Sequence, residues 1–181
     1  MSEDQSEKIY NKLKVYCQQH GIELSDGNFD EVMQKALTKE EYDLCFLPET
    51  IAGQVDQLAM RGDVLAEQGN LPEAIKIYEK GLAIIPKPKP EYEATLWFLV
   101  AIGDAYWYLQ NWKKALTYFD RSLKAAGGED NPFVHLRRGQ LFYELREMDT
   151  AKQELILGLD AAGKELFEEE DPKYLALAVG Q

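Results

Sequence analysis

The sequence predicts an all-α fold: three helix-turn-helix repeats in a right-handed solenoid, with N-terminal capping helices and a C-terminal capping helix. Three observations predict it. Small residues recur in register: Gly62, Gly103 and Gly139 are each followed twelve positions later by Ala74, Ala115 and Ala151. Seven further on stand Gly81, Ser122 and Gly158, each just before a leucine (Leu82, Leu123, Leu159). Large residues keep the same step, with Leu65, Tyr106 and Phe142 three after the glycine and Tyr78, Phe119 and Leu155 four after the alanine. Spacings of three, four and seven mark one face of a helix. Turn chemistry divides each copy in two: Gly69-Asn70-Leu71-Pro72, Gln110-Asn111-Trp112 and Arg146-Glu147-Met148-Asp149. Pro72 falls in a first turn, where its missing N–H costs little. Small residues let two helix axes approach, and stacked pairs bury the face that a lone pair leaves open.

The ends follow in order. Residues 1–49 read as a helical cap with disordered first residues, because Met1 to Glu7 is acidic and polar. That start also lacks the basic and then apolar character of a secretory signal. Glu7 to Gln19 carries a helical stripe of Ile9, Leu13, Tyr16 and Cys17, with Gly21 suited to end it. Asp26-Gly27-Asn28 signals a turn, and without the ligand order of a calcium loop it reads as solvated. Phe29 to Leu37 is a short helix, and Thr38 with Glu41 forms a capping box for another closing near Leu47-Pro48. The repeats occupy 50–163. Their first two copies are separated by Pro86-Lys87-Pro88-Lys89-Pro90, a stiff spacer, with a polyproline ligand for an aromatic groove as the alternative reading. In 164–181, Lys164 to Phe167 continues a helix into an acidic run. Asp171-Pro172 then caps a last helix with Tyr174, Leu175 and Ala178.

Composition narrows the function. Apolar residues make up 45%, enough for a core, and 20 Lys and Arg against 32 Asp and Glu give a net charge of −12. Phosphate would be repelled, which argues against nucleic acid and anionic membrane surfaces and favours a basic protein partner. The longest strongly apolar run, Leu96 to Gly103, is too short to span a bilayer, so the cytoplasm is the expected location. Cys17 and Cys45 make neither a disulfide framework nor a zinc site. His20 and His135 lie in no metal-ligand or catalytic spacing, and no nucleophile elbow, phosphate loop or dinucleotide fingerprint is present. No catalytic residue, metal site or cofactor is expected, and His135 reads as structural.

The repeat resembles the tetratricopeptide repeat, with its W-x₂-L-G-x₂-Y…A-x₃-F…P signature. The copies read Leu58, Arg61, Gly62, Leu65, Ala74, Tyr78, Pro86; Leu99, Ile102, Gly103, Tyr106, Ala115, Phe119, Gly127; and His135, Arg138, Gly139, Phe142, Ala151, Leu155, Gly163. The opening Trp is missing from all three, and Arg61 and Arg138 replace Leu. The resemblance implies that the first helix of each repeat lines a concave groove. The partner-facing residues would then be Asp56, Asp63 and Glu67 of the first copy, and Trp97, Asp104, Trp107 and Tyr108 of the second. The third would give Phe133, Gln140, Tyr143 and Glu144. Such a groove is aromatic at its middle and acidic at both sides, suited to Arg and Lys. About half of the aromatic set is expected in the core, because Leu96 to Leu109 is apolar almost all round.

The family's chaperone-tail clamp uses Lys, Asn, Asn, Lys and Arg. The matching positions here hold Ala59, Asp63, Ala101, Phe133 and Arg137, so a carboxylate-gripping clamp is not expected. The stretches Asn131 to Gln140 and Glu165 to Tyr174 look like small bacterial tetratricopeptide proteins of mostly unassigned role, and some repeat proteins of this general size act as toxin-immunity partners. The leading expectation is therefore an immunity-type inhibitor binding a cationic toxin domain. Its anchors would be Trp107, Tyr108 and Tyr143, with Asp63, Asp104 and Glu144 supplying charge. The alternative is a secretion chaperone or scaffold holding an extended effector segment, and an unrecognised enzyme stands as a third class.

Overall fold

In the computed structural model the described residues are 3–25, 27–39, 41, 47–87, 89 and 92–180. They form nine α-helices and one 3₁₀ helix: α1 (Glu3–His20), α2 (Phe29–Ala36), α3 (Glu49–Glu67), α4 (Leu71–Ile84), α5 (Glu93–Tyr108), α6 (Trp112–Ser122), α7 (Pro132–Glu144), α8 (Met148–Ala162), the 3₁₀ helix Lys164–Phe167 and α9 (Pro172–Val179). The pairs α3–α4, α5–α6 and α7–α8 are the three repeats, and each pair packs on the next.

The recurrent glycines work as their spacing requires. An added Cβ at Gly62 would overlap the Tyr78 ring, and at Gly103 it would stand 2.8 Å from Phe119. At Gly139 it would stand 2.5 Å from Leu155. Each first helix thus offers a notch, and the large residue of the second helix fills it. Tyr78, Phe119 and Leu155 are buried, each contributing about 1.5–3 kcal/mol. Gly81 repeats the device between repeats, where its missing side chain admits Phe98.

The turn between the two helices is the same in all three copies. Gly69, Gln110 and Arg146 adopt φ of 75°, 55° and 69°. The amides that follow, of Asn70, Asn111 and Glu147, reach back to the carbonyls of Leu65, Tyr106 and Phe142 at 2.9, 2.9 and 2.8 Å. This is a Schellman ending. Glycine adopts it freely, whereas Gln110 and Arg146 bear its steric cost.

A buried polar network seals the joint between the second and third repeats. Arg138 of α7 donates to Glu154 of α8 at 2.9 Å and pairs with Asp120 of α6. Glu154 also bonds His135 Nδ1 at 2.8 Å, while His135 Nε2 meets the Glu129 carbonyl at 2.6 Å. His135 therefore has the structural place expected of it.

The ends differ from expectation. α1 begins at Glu3, ahead of Glu7; Met1 and Ser2, where disorder was expected, lie outside the described residues. Thr38 and Glu41 make the anticipated capping box, with Glu41 N–H to Thr38 Oγ1 at 3.3 Å and Thr38 N–H to Glu41 Oε2 at 3.0 Å. The helix expected after it falls on residues 40 and 42–46, Cys45 among them, which lie outside the described residues; Cys17 is half-buried with a free thiol.

α1 and α2 pack on each other around Ile9, Leu13, Val32, Met33 and Leu37, apart from the repeat core. Met60 and Val64, which point away from the Gly62 side of α3, stay exposed. The proline connector is more than a spacer. Lys89 Nζ donates to the carbonyls of Leu82 and Ala83 at 2.8 and 2.9 Å and to that of Ile85, capping the end of α4. Lys164 to Phe167 does not continue α8. Gly163, at φ 74°, breaks the chain into the 3₁₀ helix. The Asp171 carboxylate caps α9 by accepting from Lys173 N–H at 3.0 Å, with Pro172 in the first turn.

Candidate functional site

A groove runs along the first helices α3, α5 and α7, and its two halves differ. Between α3 and α5 lies an open hollow of about 460 Å³, lined by Asp63, Ala66, Tyr78, Ala101, Asp104 and Tyr108 among others. The short side chains of Ala66, Ala101 and Ala105 leave this space open where α3 and α5 meet. The Tyr78 hydroxyl donates to Asp63 Oδ1 at 2.8 Å, and burial together with that carboxylate pushes the phenol well above its ordinary range. Trp97 stands edge-on to Tyr78, ring centroids 5.6 Å apart, and remains 41% exposed. Tyr108, 63% exposed, forms the far wall. Asp56 and Glu67 are exposed on α3, and among the described residues neither is paired with a cation.

Toward α7 the groove is filled by the chain itself. Arg137, 5% exposed, donates through Nε to Asp104 at 2.6 Å and through Nη1 to Gln140 at 2.8 Å and to Glu170 at 2.9 Å. Its guanidinium carbon lies 4.9 Å from the Phe133 ring centroid, 5.3 Å from that of Trp107 and 6.0 Å from that of Tyr108. Gln140 is fully buried and gives its amide N–H to Glu170 at 2.8 Å. Lys173 bonds Glu144 at 3.0 Å and lies over the Tyr143 and Tyr174 rings. Tyr174 donates to the same Glu144 at 3.0 Å, and its ring packs at 5.4 Å from Tyr143 and 6.5 Å from Trp107. Burial raises the Asp104 carboxyl above its ordinary value, with Arg137 pulling the other way. Burial and Glu144 push the Tyr174 phenol up to about 12.

The eleven sequence-derived positions therefore divide. Asp63, Asp104 and Tyr108 line the open hollow; Asp56, Glu67 and Trp97 lie on its helices outside the lining. Trp107, Phe133, Tyr143 and Glu144 are half-buried and Gln140 is buried, all in the half that Glu170, Lys173 and Tyr174 occupy. Sequence reasoning missed Arg137 as the hub of this half. The available signal was an arginine amid apolar residues of α7, followed later by an acidic run. Among the described residues no three His, Cys, Asp or Glu side chains converge as a metal would require, and no helix is long and apolar enough to cross a membrane.

The tetratricopeptide repeat family matches residues 56–127, and a second tetratricopeptide repeat profile matches residues 100–165. A search of curated proteins finds no match. Among solved structures, the chain is similar to the Yersinia enterocolitica type III secretion chaperone SycD in complex with a peptide of the translocator YopD. The TM-score is 0.59 at 13% identity, over 74% of this chain and 95% of that one. It is also similar to PcrH from Pseudomonas aeruginosa, with TM-score 0.51 and 18% identity over 76% of this chain and 90% of the other. At these identities the likeness is one of fold. No toxin inhibitor is among these likenesses, so the immunity-type expectation draws no support from them.

Proposed function

Since the chain is a tetratricopeptide repeat protein, we propose that it is a non-enzymatic binding module that holds an extended segment of a protein partner in the hollow between α3 and α5. The occupant combines an apolar or aromatic side chain with Lys or Arg. The observation that carries this reading is the open hollow itself. It has an alanine floor, an exposed Tyr108 wall and a carboxylate rim at Asp63, with Asp56 and Glu67 nearby on α3. The floor suits an extended backbone, the ring supplies an anchor, and the carboxylates attract a cation. The SycD structure supports the chaperone-like form of the reading, because that relative of similar fold is in complex with a translocator peptide.

The test is an array of ten-residue synthetic peptides, with Leu, Tyr, Lys, Arg and Glu permuted, probed with the full chain. Peptides pairing a large apolar residue with Lys or Arg should bind, and weaken as salt rises. Tyr108→Ala should reduce that binding by about tenfold or more, as truncating an interface anchor does. Preference for acidic peptides, or binding indifferent to Tyr108, would overturn the proposal.

A further inference from the structure

In the third-repeat half of the groove, the chain's own C-terminal residues meet the side chains of α7. A terminal helix closes a repeat stack through apolar contacts, and Phe167, Tyr174 and Ala178 do this against Leu136 and Leu155. Glu170 and Lys173 do something else. Their charged atoms turn onto the groove side of α7, where Glu170 meets Arg137 and Gln140 while Lys173 meets Glu144. Tyr174 adds its hydroxyl to Glu144 and its ring to Tyr143 and Trp107. Asp104, Trp107, Phe133, Gln140, Tyr143 and Glu144 are the positions at which the sequence places partner contacts, and the chain's own tail engages them directly or through Arg137. The site also dictates what can sit there. Gln140 is wholly buried and its Oε1 is taken by Arg137, so its N–H donor needs an acceptor at the Glu170 position. Glu144 faces outward to a cation and a phenol.

We propose that Glu170–Tyr174 is a resident ligand of this half-groove, and that a partner segment with the same pattern takes its place: a carboxylate, then Lys and an aromatic residue three and four positions on. A tethered ligand acts at an effective concentration in the millimolar range, so a free segment of the same kind competes poorly until the tether's contacts weaken. Each hydrogen bond to a charged group shifts the balance by roughly tenfold or more. This half-groove meets the open hollow at Asp104 and Tyr108, but its assignment rests on the contacts of Glu170, Lys173 and Tyr174 and not on what binds in the hollow.

The probe is a synthetic peptide of residues 168–177, offered to three full-chain proteins: wild type, Glu170→Gln with Lys173→Gln, and Lys173→Ala alone. All keep Tyr174 and its apolar packing, and the single variant guards against loss of fold in the double one. Hydrogen exchange should show residues 168–179 of the variants opening about tenfold faster than in wild type, with α8 unchanged. The peptide should bind the double variant at least about tenfold more tightly than wild type. A peptide with Gln at the Glu170 position should lose that advantage. Equal binding to all three proteins, or binding to none, overturns the proposal. So does exchange of residues 168–179 in step with α8 in every protein, which would make the tail an ordinary part of the core.

Discussion

Replacing Arg137 by Met leaves the volume of the side chain nearly filled and removes its charge, which isolates the electrostatic role of the hub. Arg137 is buried and holds Asp104 at 2.6 Å and Glu170 at 2.9 Å. Breaking a buried ion pair from one side costs about 3–5 kcal/mol, because the remaining charge stays desolvated. Both carboxylates keep some exposure, with side-chain values of 26% and 20%, so the lower end, about 3 kcal/mol, is expected. For a chain of this size that lowers Tm by roughly 6–12 °C. Differential scanning calorimetry and urea unfolding give the number. The triple variant Arg137→Met, Asp104→Asn, Glu170→Gln should recover most of the loss, since it removes the unpaired charges.

The pH dependence has a definite sign. Burial raises Asp104, and without Arg137 the opposing pull is gone. The folded variant then favours the protonated acid, so its deficit shrinks as pH falls through the raised carboxyl value and grows as pH rises. A loss under about 1 kcal/mol, or a triple variant no more stable than the single one, would refute the reasoning.

Four further outcomes follow from the packing. Gly103→Ala should cost about 1–3 kcal/mol by pressing a methyl group on Phe119, whereas Gly53→Ala, with open space at that point of α3, should gain about 0.5–1 kcal/mol; paired urea melts compare them. Gln110→Gly and Arg146→Gly should each stabilise by about 0.5–1 kcal/mol, because both residues hold a left-handed conformation, and a rise in urea midpoint is the readout. Lys89→Met should lower stability by about 1–2 kcal/mol by uncapping α4, visible as faster amide exchange in residues 80–85. At high pH the folded chain should lose stability between about pH 10 and pH 12, as Tyr118 and Tyr174, both pushed up to about 12, are forced to ionise; Tyr174→Phe should reduce that slope in an alkaline melt series.

The repeats were legible because packing wrote them into spacing. The notch at Gly62, Gly103 and Gly139 admits a large residue sixteen positions later. Turn positions were legible for a similar local reason, although Gln110 and Arg146 hide the left-handed conformation that Gly69 announces. The groove positions were legible as a helical face, but not their division into an open half and a filled half. That division depends on Glu170, Lys173 and Tyr174, which return to α7 from 30 residues or so along the chain, and helical periodicity carries no record of such contacts. The Lys89 cap escaped for the same reason: a lysine among prolines reads as solvated until its ammonium is seen on three carbonyls.

The proposed function puts an extended, cation-bearing segment in the hollow between α3 and α5. Hydrogen exchange of the full chain, with and without the tightest-binding array peptide, tests it most directly. Protection should rise at the C-terminal turns of α3 and α5, around Asp63 to Glu67 and Ala101 to Tyr108, while α4, α6 and the α1–α2 pair stay unchanged. Protection confined to α4 and α6, or to α1 and α2, would place the partner elsewhere and contradict it.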